Sequence, residues 1–444
     1  MSEPIRYHST RSTGSTVPIS QAIAAGLAPD GGLYVPERLP TLDPAAFDPH
    51  GSLADTAATL LAPFFAGDAL ADELPAICAE AFAFDAPLRA LPAHPHTTML
   101  ELFHGPTSAF KDFGARFLAA CLRRLPRADA RPLTILVATS GDTGAAVAAA
   151  FHRQPGVRVV ILYPDGLVSP RQAHQLGCFG DNVTALRVAG RFDDCQRMVK
   201  AALNDTTLQA QHPLSSANSI SLGRLLPQMS YYAHAALGWW REHGTALSFI
   251  VPTGNLGNAL ACLWVRELGL PIGEVRLACN ANATLPEFFA GADYRPREAV
   301  ATVANAMDVG APSNFERLRW TFPDEAQLRQ TLRAESVDDD TIRATALNHA
   351  REHGEVVCPH TATAFALLDR EAAHREHPWA VVATAHPAKF ETVLEPLLGH
   401  GLAVPTALAL MLERSASAEA LVAYDAALKQ WLREHADACT AVPF

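Results

Sequence analysis

Three times the chain passes from an apolar, strand-forming run into a polar turn. Leu133–Ala138 leads into Thr139-Ser-Gly-Asp-Thr-Gly144 and an alanine-rich segment ending at Phe151. Residues 247–251 lead into Pro252-Thr-Gly-Asn-Leu-Gly-Asn258 and the apolar helical segment 259–268. Residues 379–384 lead into Ala385-His-Pro-Ala-Lys-Phe390. Further buried-type strands are expected at 157–163, 184–188 and 274–279. Strands alternating with helices predict an α/β fold built from βαβ units. Such sheets place ligands beyond the C-terminal ends of their strands, where helix N-termini favour an anion. The 252–258 turn carries two glycines, which let backbone approach a phosphate closely. It is neither a Walker loop, for no Gly-Lys-Ser/Thr follows, nor the G-x-G-x-x-G dinucleotide pattern.

The stretch Glu101-Leu-Phe-His-Gly-Pro-Thr-Ser-Ala-Phe-Lys-Asp-Phe-Gly-Ala-Arg-Phe117 adds the chemistry. Phe110, Phe113, Phe117 and Leu118 recur at helical spacing, so one face packs inward. Lys111 stands among them at the mouth of the helix. A desolvated amine has a lowered pKa, and a neutral amine attacks a carbonyl. The cofactor that uses such a lysine is pyridoxal 5'-phosphate. A lone lysine at a helix start more commonly snorkels to solvent. With a phosphate cradle in the same chain, the cofactor reading is the stronger.

The 444 residues suffice for two or three domains. Three units are expected: 1–92 at the N-terminus, a small domain at 133–239, and a large one built from 93–132 and 240–444. A net charge of −11 argues against nucleic-acid or acidic-membrane partners. The eight scattered cysteines lack metal-ligand spacing, so no metal is expected and reduced, buried thiols are. No signal pattern opens the chain and no apolar run is long enough for a bilayer, which points to the cytoplasm. Ser20 is the expected N-cap of a first helix. Residues 54–84, 323–353 and 391–444 read as helical, with Asp338–Asp340 a solvated cap.

His104-Gly-Pro-Thr-x-Ala-Phe-Lys-Asp-Phe-Gly-Ala-Arg-Phe117 closely resembles the cofactor-lysine segment of the threonine synthase family, in its longer microbial form. Gly26-Leu-Ala-Pro-Asp-Gly-Gly-Leu-Tyr-Val-Pro36 is similar to that family's N-terminal domain. The resemblance implies fold type II of the pyridoxal-phosphate enzymes, the tryptophan-synthase-β-like fold, with large and small three-layer domains plus the N-terminal one. It implies that Lys111 carries the cofactor as a Schiff base and that Gly254, Asn255, Leu256, Gly257 and Asn258 hold its phosphate. Thr384, in a motif similar to the family's Thr-Ala-His-Pro-Ala-Lys-Phe, would bond the pyridine nitrogen. Asp142 would lie near the ring hydroxyl, with Ser140 and Thr143 on the substrate's carboxylate or phosphate.

Asn218 and Arg224, six residues apart, resemble the ends of the family's Asn-Ser-Ile-Asn-x-x-Arg. That likeness gives Asn218, Ser219 and Arg224 to the substrate phosphate; Ser221 replaces the family's asparagine. Asp308-Val-Gly-Ala-Pro-Ser-Asn-Phe-Glu-Arg317 resembles a further motif and makes Ser313 and Asn314 active-site neighbours. The implied reaction is O-phospho-L-homoserine plus water to L-threonine plus phosphate, the last step of threonine biosynthesis, in a monomer or homodimer. Two rivals stand beside it. One is another lyase of the same fold, such as a serine/threonine dehydratase. The other is a catalytically silent relative that binds a phospho-ligand.

Overall fold

The apolar runs fold as the central strands of two parallel sheets. The computed structural model describes residues 3–91, 96–126, 131–370 and 377–435. Near the N-terminus β1 (Tyr7–Ser9), β2 (Ser12–Val17) and β3 (Tyr34–Pro36) form an antiparallel sheet in the order β2-β1-β3. Then come β4 (Leu88–Ala90), β5 (Thr97–Glu101), β6 (Leu133–Ala138), β7 (Val157–Pro164), β8 (Val183–Ala189) and β9 (Leu214–Ser216). The remaining described strands are β10 (Leu247–Pro252), β11 (Ile272–Cys279), β12 (Arg333–Ser336), β13 (Trp379–Ala383) and β14 (Glu419–Val422). Every residue of β7 and β10 is buried, as expected of parallel strands covered on both faces.

The larger sheet has six strands in the order β12-β11-β10-β13-β5-β4, parallel except for the β4–β5 pair. The smaller has five parallel strands in the order β14-β8-β7-β6-β9. Each sheet has a point where successive strands are laid down on opposite sides, and a crevice opens there. In the larger sheet it lies between β10 and β13, whose C-terminal ends carry the 252–258 turn and Thr384. In the smaller it lies between β6 and β9, which carry the 139–144 turn and the approach to Arg224. The four motifs therefore sit at the two places where such sheets bind ligands.

Several expectations hold in detail. Helices cover Leu53–Phe65 and Leu74–Ala81. Asp338 caps Asp339–His353 by accepting from the Thr341 N–H. The seven described cysteines are buried and free; Cys439 and the 92/93 domain boundary lie outside the described residues.

Other expectations change. Pro18, not Ser20, is the N-cap of the helix Ile19–Ala25. Ser20 is already inside that helix, where Oγ donates to Asp68 Oδ2 at 2.8 Å. Residues 323–353 are broken by β12, which pairs with β11. The 391–444 stretch is not wholly helical, nor does it stay with the larger sheet: β14 pairs with β8, and the helix Asp425–Glu434 follows it. Both missed strands are four-residue edge strands carrying charged side chains, so neither shows an apolar run.

Candidate active site

Local folding brings Lys111 and Thr384 together. The Asp112 carboxylate accepts the Thr107 N–H at 2.8 Å and the Thr107 hydroxyl at 2.7 Å, which tightens the 104–110 loop against the helix Lys111–Arg124. That loop is then zipped to the segment after β13. Phe110 N–H donates to the Thr384 carbonyl at 2.9 Å, and His386 N–H donates to the Ser108 carbonyl at 3.0 Å. Lys111 Nζ stands 4.3 Å from the Phe110 ring centroid.

The 252–258 turn approaches from the neighbouring strand. Gly254 lies so close to the 304–307 segment that a Cβ there would stand 2.7 Å from Met307 Cα. Leu256, buried, holds the left-handed conformation at φ 64° and caps the helix Gly257–Glu267. A non-glycine residue held this way stores strain, which clusters at ligand clamps. Asn258 Oδ1 accepts from the hydroxyls of Tyr231 at 2.5 Å and Tyr232 at 3.0 Å, so its amide orientation is fixed. Its Nδ2 is left buried without a partner.

These pieces line one cavity: Phe110, Lys111, Asp142, Ser219, Arg224, Gln228, residues 252–259, Ala306, Met307, His360 and Thr384. Burial first, then the charges of Arg224 and Lys389 against the opposing pull of Asp142, lower the Lys111 ammonium from its ordinary value to about 8. Arg224 is buried, lies against Gly114 one turn along the lysine helix, and hands one nitrogen to the Ala217 carbonyl. Its Nε is unpartnered, and burial lowers its pKa to about 10. Two buried donors without acceptors beside a helix N-terminus call for an anion. An amine, an anion cradle and a strand-end hydroxyl in one cavity fit pyridoxal phosphate.

Asp142 begins the helix Asp142–Phe151 and pairs with Lys389 Nζ at 2.7 Å; both side chains are almost wholly buried. Burial raises the Asp142 pKa most, but Lys389 together with weaker partners such as Gln172 outweighs it and the net direction is downward. Lys389 also donates to the Thr107 carbonyl at 2.7 Å. Asn255, Ser219, Ser313 and Asn314 form one network. Asn255 Nδ2 donates to Ser219 Oγ at 2.7 Å, Ser313 N–H to Asn255 Oδ1 at 2.6 Å, and Asn314 Nδ2 to the Asn255 carbonyl at 3.0 Å. Arg317 locks it, donating to Asn314 Oδ1 and the carbonyls of Tyr34, Ser219 and Ile220.

Two assigned residues are placed elsewhere. Asn218 is turned away from the cavity: Nδ2 donates to the Ala138 carbonyl at 2.6 Å and Oδ1 accepts the Ala138 N–H at 3.2 Å, tying β9's loop to β6. Ser140 lines a separate cleft of about 840 Å³ with Val168, Ser169, Val300, Asn305 and Phe390. Thr143, half-buried, is the second residue of its helix. Sequence reasoning passed over Lys389, His360 and Arg317. Lys389 gave the same signal as Lys111, a lone lysine flanked by apolar residues.

Residues 85–387 match the family model described as "Pyridoxal-phosphate dependent enzyme". With the two-sheet fold and the lysine cavity, this makes the chain a member of the fold type II pyridoxal-phosphate enzymes. Residues 6–82 match "Threonine synthase N terminus". The threonine synthase of Escherichia coli (strain K12) is 37% identical over 438 residues, 97% of this chain and 100% of that one. Its crystal structure superposes with a TM-score of 0.90 over the same shares. The pyridoxal-phosphate-bound threonine synthase of Brucella melitensis is 33% identical, with a TM-score of 0.87 over 98% of this chain and 100% of that chain. The chain belongs to the threonine synthase family.

Proposed function

We propose that this chain converts O-phospho-L-homoserine and water to L-threonine and phosphate with pyridoxal phosphate as its cofactor. The observation that carries the reading is convergence: Lys111, the 254–258 turn and Thr384, from remote parts of the sequence, line one cavity. The N-terminal match to threonine synthases favours this activity over a dehydratase of the same fold. When bound, the cofactor supplies a ring that takes up the electron pair released at the substrate's Cα.

The side chains divide the rest of the work. Lys111 Nζ would hold the cofactor's aldehyde, and as a free amine it would move protons at the substrate's Cα and Cβ. Gly254, Asn255, Leu256, Gly257 and Asn258 would hold the cofactor phosphate with backbone N–H groups and Asn258 Nδ2. The Thr384 hydroxyl would meet the pyridine nitrogen, and Asp142, its charge offset by Lys389, would lie near the ring oxygen. Arg224 and Ser219 receive the substrate's phosphate, so leaving charge develops beside a guanidinium. Thr143, at the same helix start as Asp142, takes the carboxylate. Ser313, Asn314 and Asn218 orient the loops that carry these groups. No described helix is long and apolar enough to cross a membrane, and we place the enzyme in the cytoplasm as a monomer or homodimer.

Purified protein supplied with pyridoxal phosphate is expected to release phosphate from O-phospho-L-homoserine and no ammonia from threonine; the opposite pattern sinks the assignment. Arg224→Ala is expected to raise KM for phosphohomoserine at least tenfold, since a charged hydrogen bond contributes about 1.5–3 kcal/mol. Cofactor affinity should change less. A larger loss of cofactor affinity would hand Arg224 to the cofactor's phosphate instead.

A further inference from the structure

We propose that His360 donates a hydrogen bond from Nδ1–H to the ring oxygen of pyridoxal phosphate held at Lys111. The inference rests on the cofactor reading above and names a positioning contact at that same site. His360 sits at the start of the helix Pro359–Arg370, 3% exposed, and lines the Lys111 cavity. The backbone N–H of Ala306 donates to its Nε2 at 3.1 Å. Nε2 therefore presents its lone pair, and a neutral imidazole carries its single proton on Nδ1. Burial favours the neutral ring, lowering its pKa to about 4. Nδ1 is buried with no partner in the protein, and its ring is held edge-on to Phe390 at 4.8 Å.

The covalent layout of the cofactor selects the acceptor. The phosphate arm and the ring oxygen sit on the two ring carbons that flank the aldehyde carbon. With the aldehyde on Lys111 and the phosphate at residues 254–258, the ring oxygen faces the other side. His360 lines the same cavity and feels the charges of Asp142, Lys111 and Lys389. Asp142 accepts and cannot donate, and it is already taken by Lys389 and by Gln172 Nε2 at 3.2 Å. His360 is the neutral donor left for an ionised oxygen.

The test compares wild type with His360→Phe, which removes the donor but keeps a ring, and His360→Asn, which keeps an N–H near the place of Nδ1. Each is loaded with pyridoxal phosphate and its visible absorption is titrated with pH in the absence of substrate. A donor to the ionised oxygen stabilises that form. His360→Phe should therefore raise the titration midpoint by about one pH unit and weaken cofactor binding about tenfold, the two being one quantity on a free-energy scale. His360→Asn should recover most of both. If His360→Phe fails to fold, His360→Gln, whose amide falls near Nε2, replaces it with the same expectation. Coincident titrations of wild type and the donor-free variant overturn the proposal, as do equal shifts in donor-free and donor-bearing variants. A change seen only after substrate is added overturns it too, moving the contact to the substrate. Wild type that takes up no cofactor at all removes the underlying function as well.

Discussion

A lysine with the ordinary pKa of about 10.4 is neutral in roughly one molecule in 2,500 at pH 7. At the value of about 8 that its surroundings impose, Lys111 is neutral in roughly one in ten. The gain comes chiefly from burial, with Arg224 and Lys389 adding to it and Asp142 opposing it. Its sign follows from linkage: the folded pKa is depressed, so holding the ammonium costs its full amount of stability below pH 8, and that cost shrinks as pH rises from 8 to the unfolded lysine value of about 10.4. Acylation of Lys111 in the cofactor-free protein, followed by mass spectrometry of its peptide, should show a midpoint near pH 8. A midpoint near that of ordinary surface lysines would mean the amine is solvated. Lys111→Ala should abolish steady-state turnover while leaving the cofactor-free protein folded; surviving turnover would strip the residue of its role.

At the scale of elements, the phosphate cradle depends on one strand-to-helix turn fitted against one loop. Gly254→Ala places a methyl 2.7 Å from Met307 Cα, so the turn or the 304–307 segment must move. Because backbone has little room to yield, pyridoxal-phosphate affinity should fall at least tenfold, about 1.4 kcal/mol, with the far-ultraviolet dichroism unchanged. Equal affinity by equilibrium titration would show that the turn is more pliable than its packing suggests. Both cradle strands and the 139–144 turn were legible because apolar runs ending in glycine turns are local signals. Their roles came from resemblance, since physics alone left Thr384 a hydroxyl at a strand end. What was illegible depends on distant partners. Asn218 reads like a ligand until Ala138 is found holding its amide. The β14 strand has no apolar signature of its own and exists because β8 offers an edge. His360 reads as one histidine among eighteen until Ala306 fixes its tautomer.

Across the whole molecule, the two parallel sheets are joined over the cavity by a polar clasp. Lys389, after β13 of the larger sheet, pairs with Asp142, after β6 of the smaller. Beside it Ser169 Oγ donates to the Lys389 carbonyl at 2.7 Å, and Arg171 reaches the Ala388 carbonyl at 2.8 Å and Glu395 Oε1 at 2.9 Å. Both members of the central pair are buried, so losing one strands a charge away from water. Asp142→Asn or Lys389→Met alone should each cost about 3–5 kcal/mol, whereas the double variant should cost well under their sum. Urea unfolding of the cofactor-free proteins closes that cycle without involving catalysis; simple additivity would mean that the charges do not sense each other. The pH dependence is set by Asp142, whose folded pKa lies below its ordinary value because Lys389, helped by weaker partners, overcomes the burial penalty. Its contribution is complete above the unfolded carboxylate pKa and is lost as pH falls through the folded one. Wild type should therefore lose more stability than Asp142→Asn on acidification, because only wild type has this carboxylate to protonate. If acid weakens both equally, the pair does not hold the two sheets together.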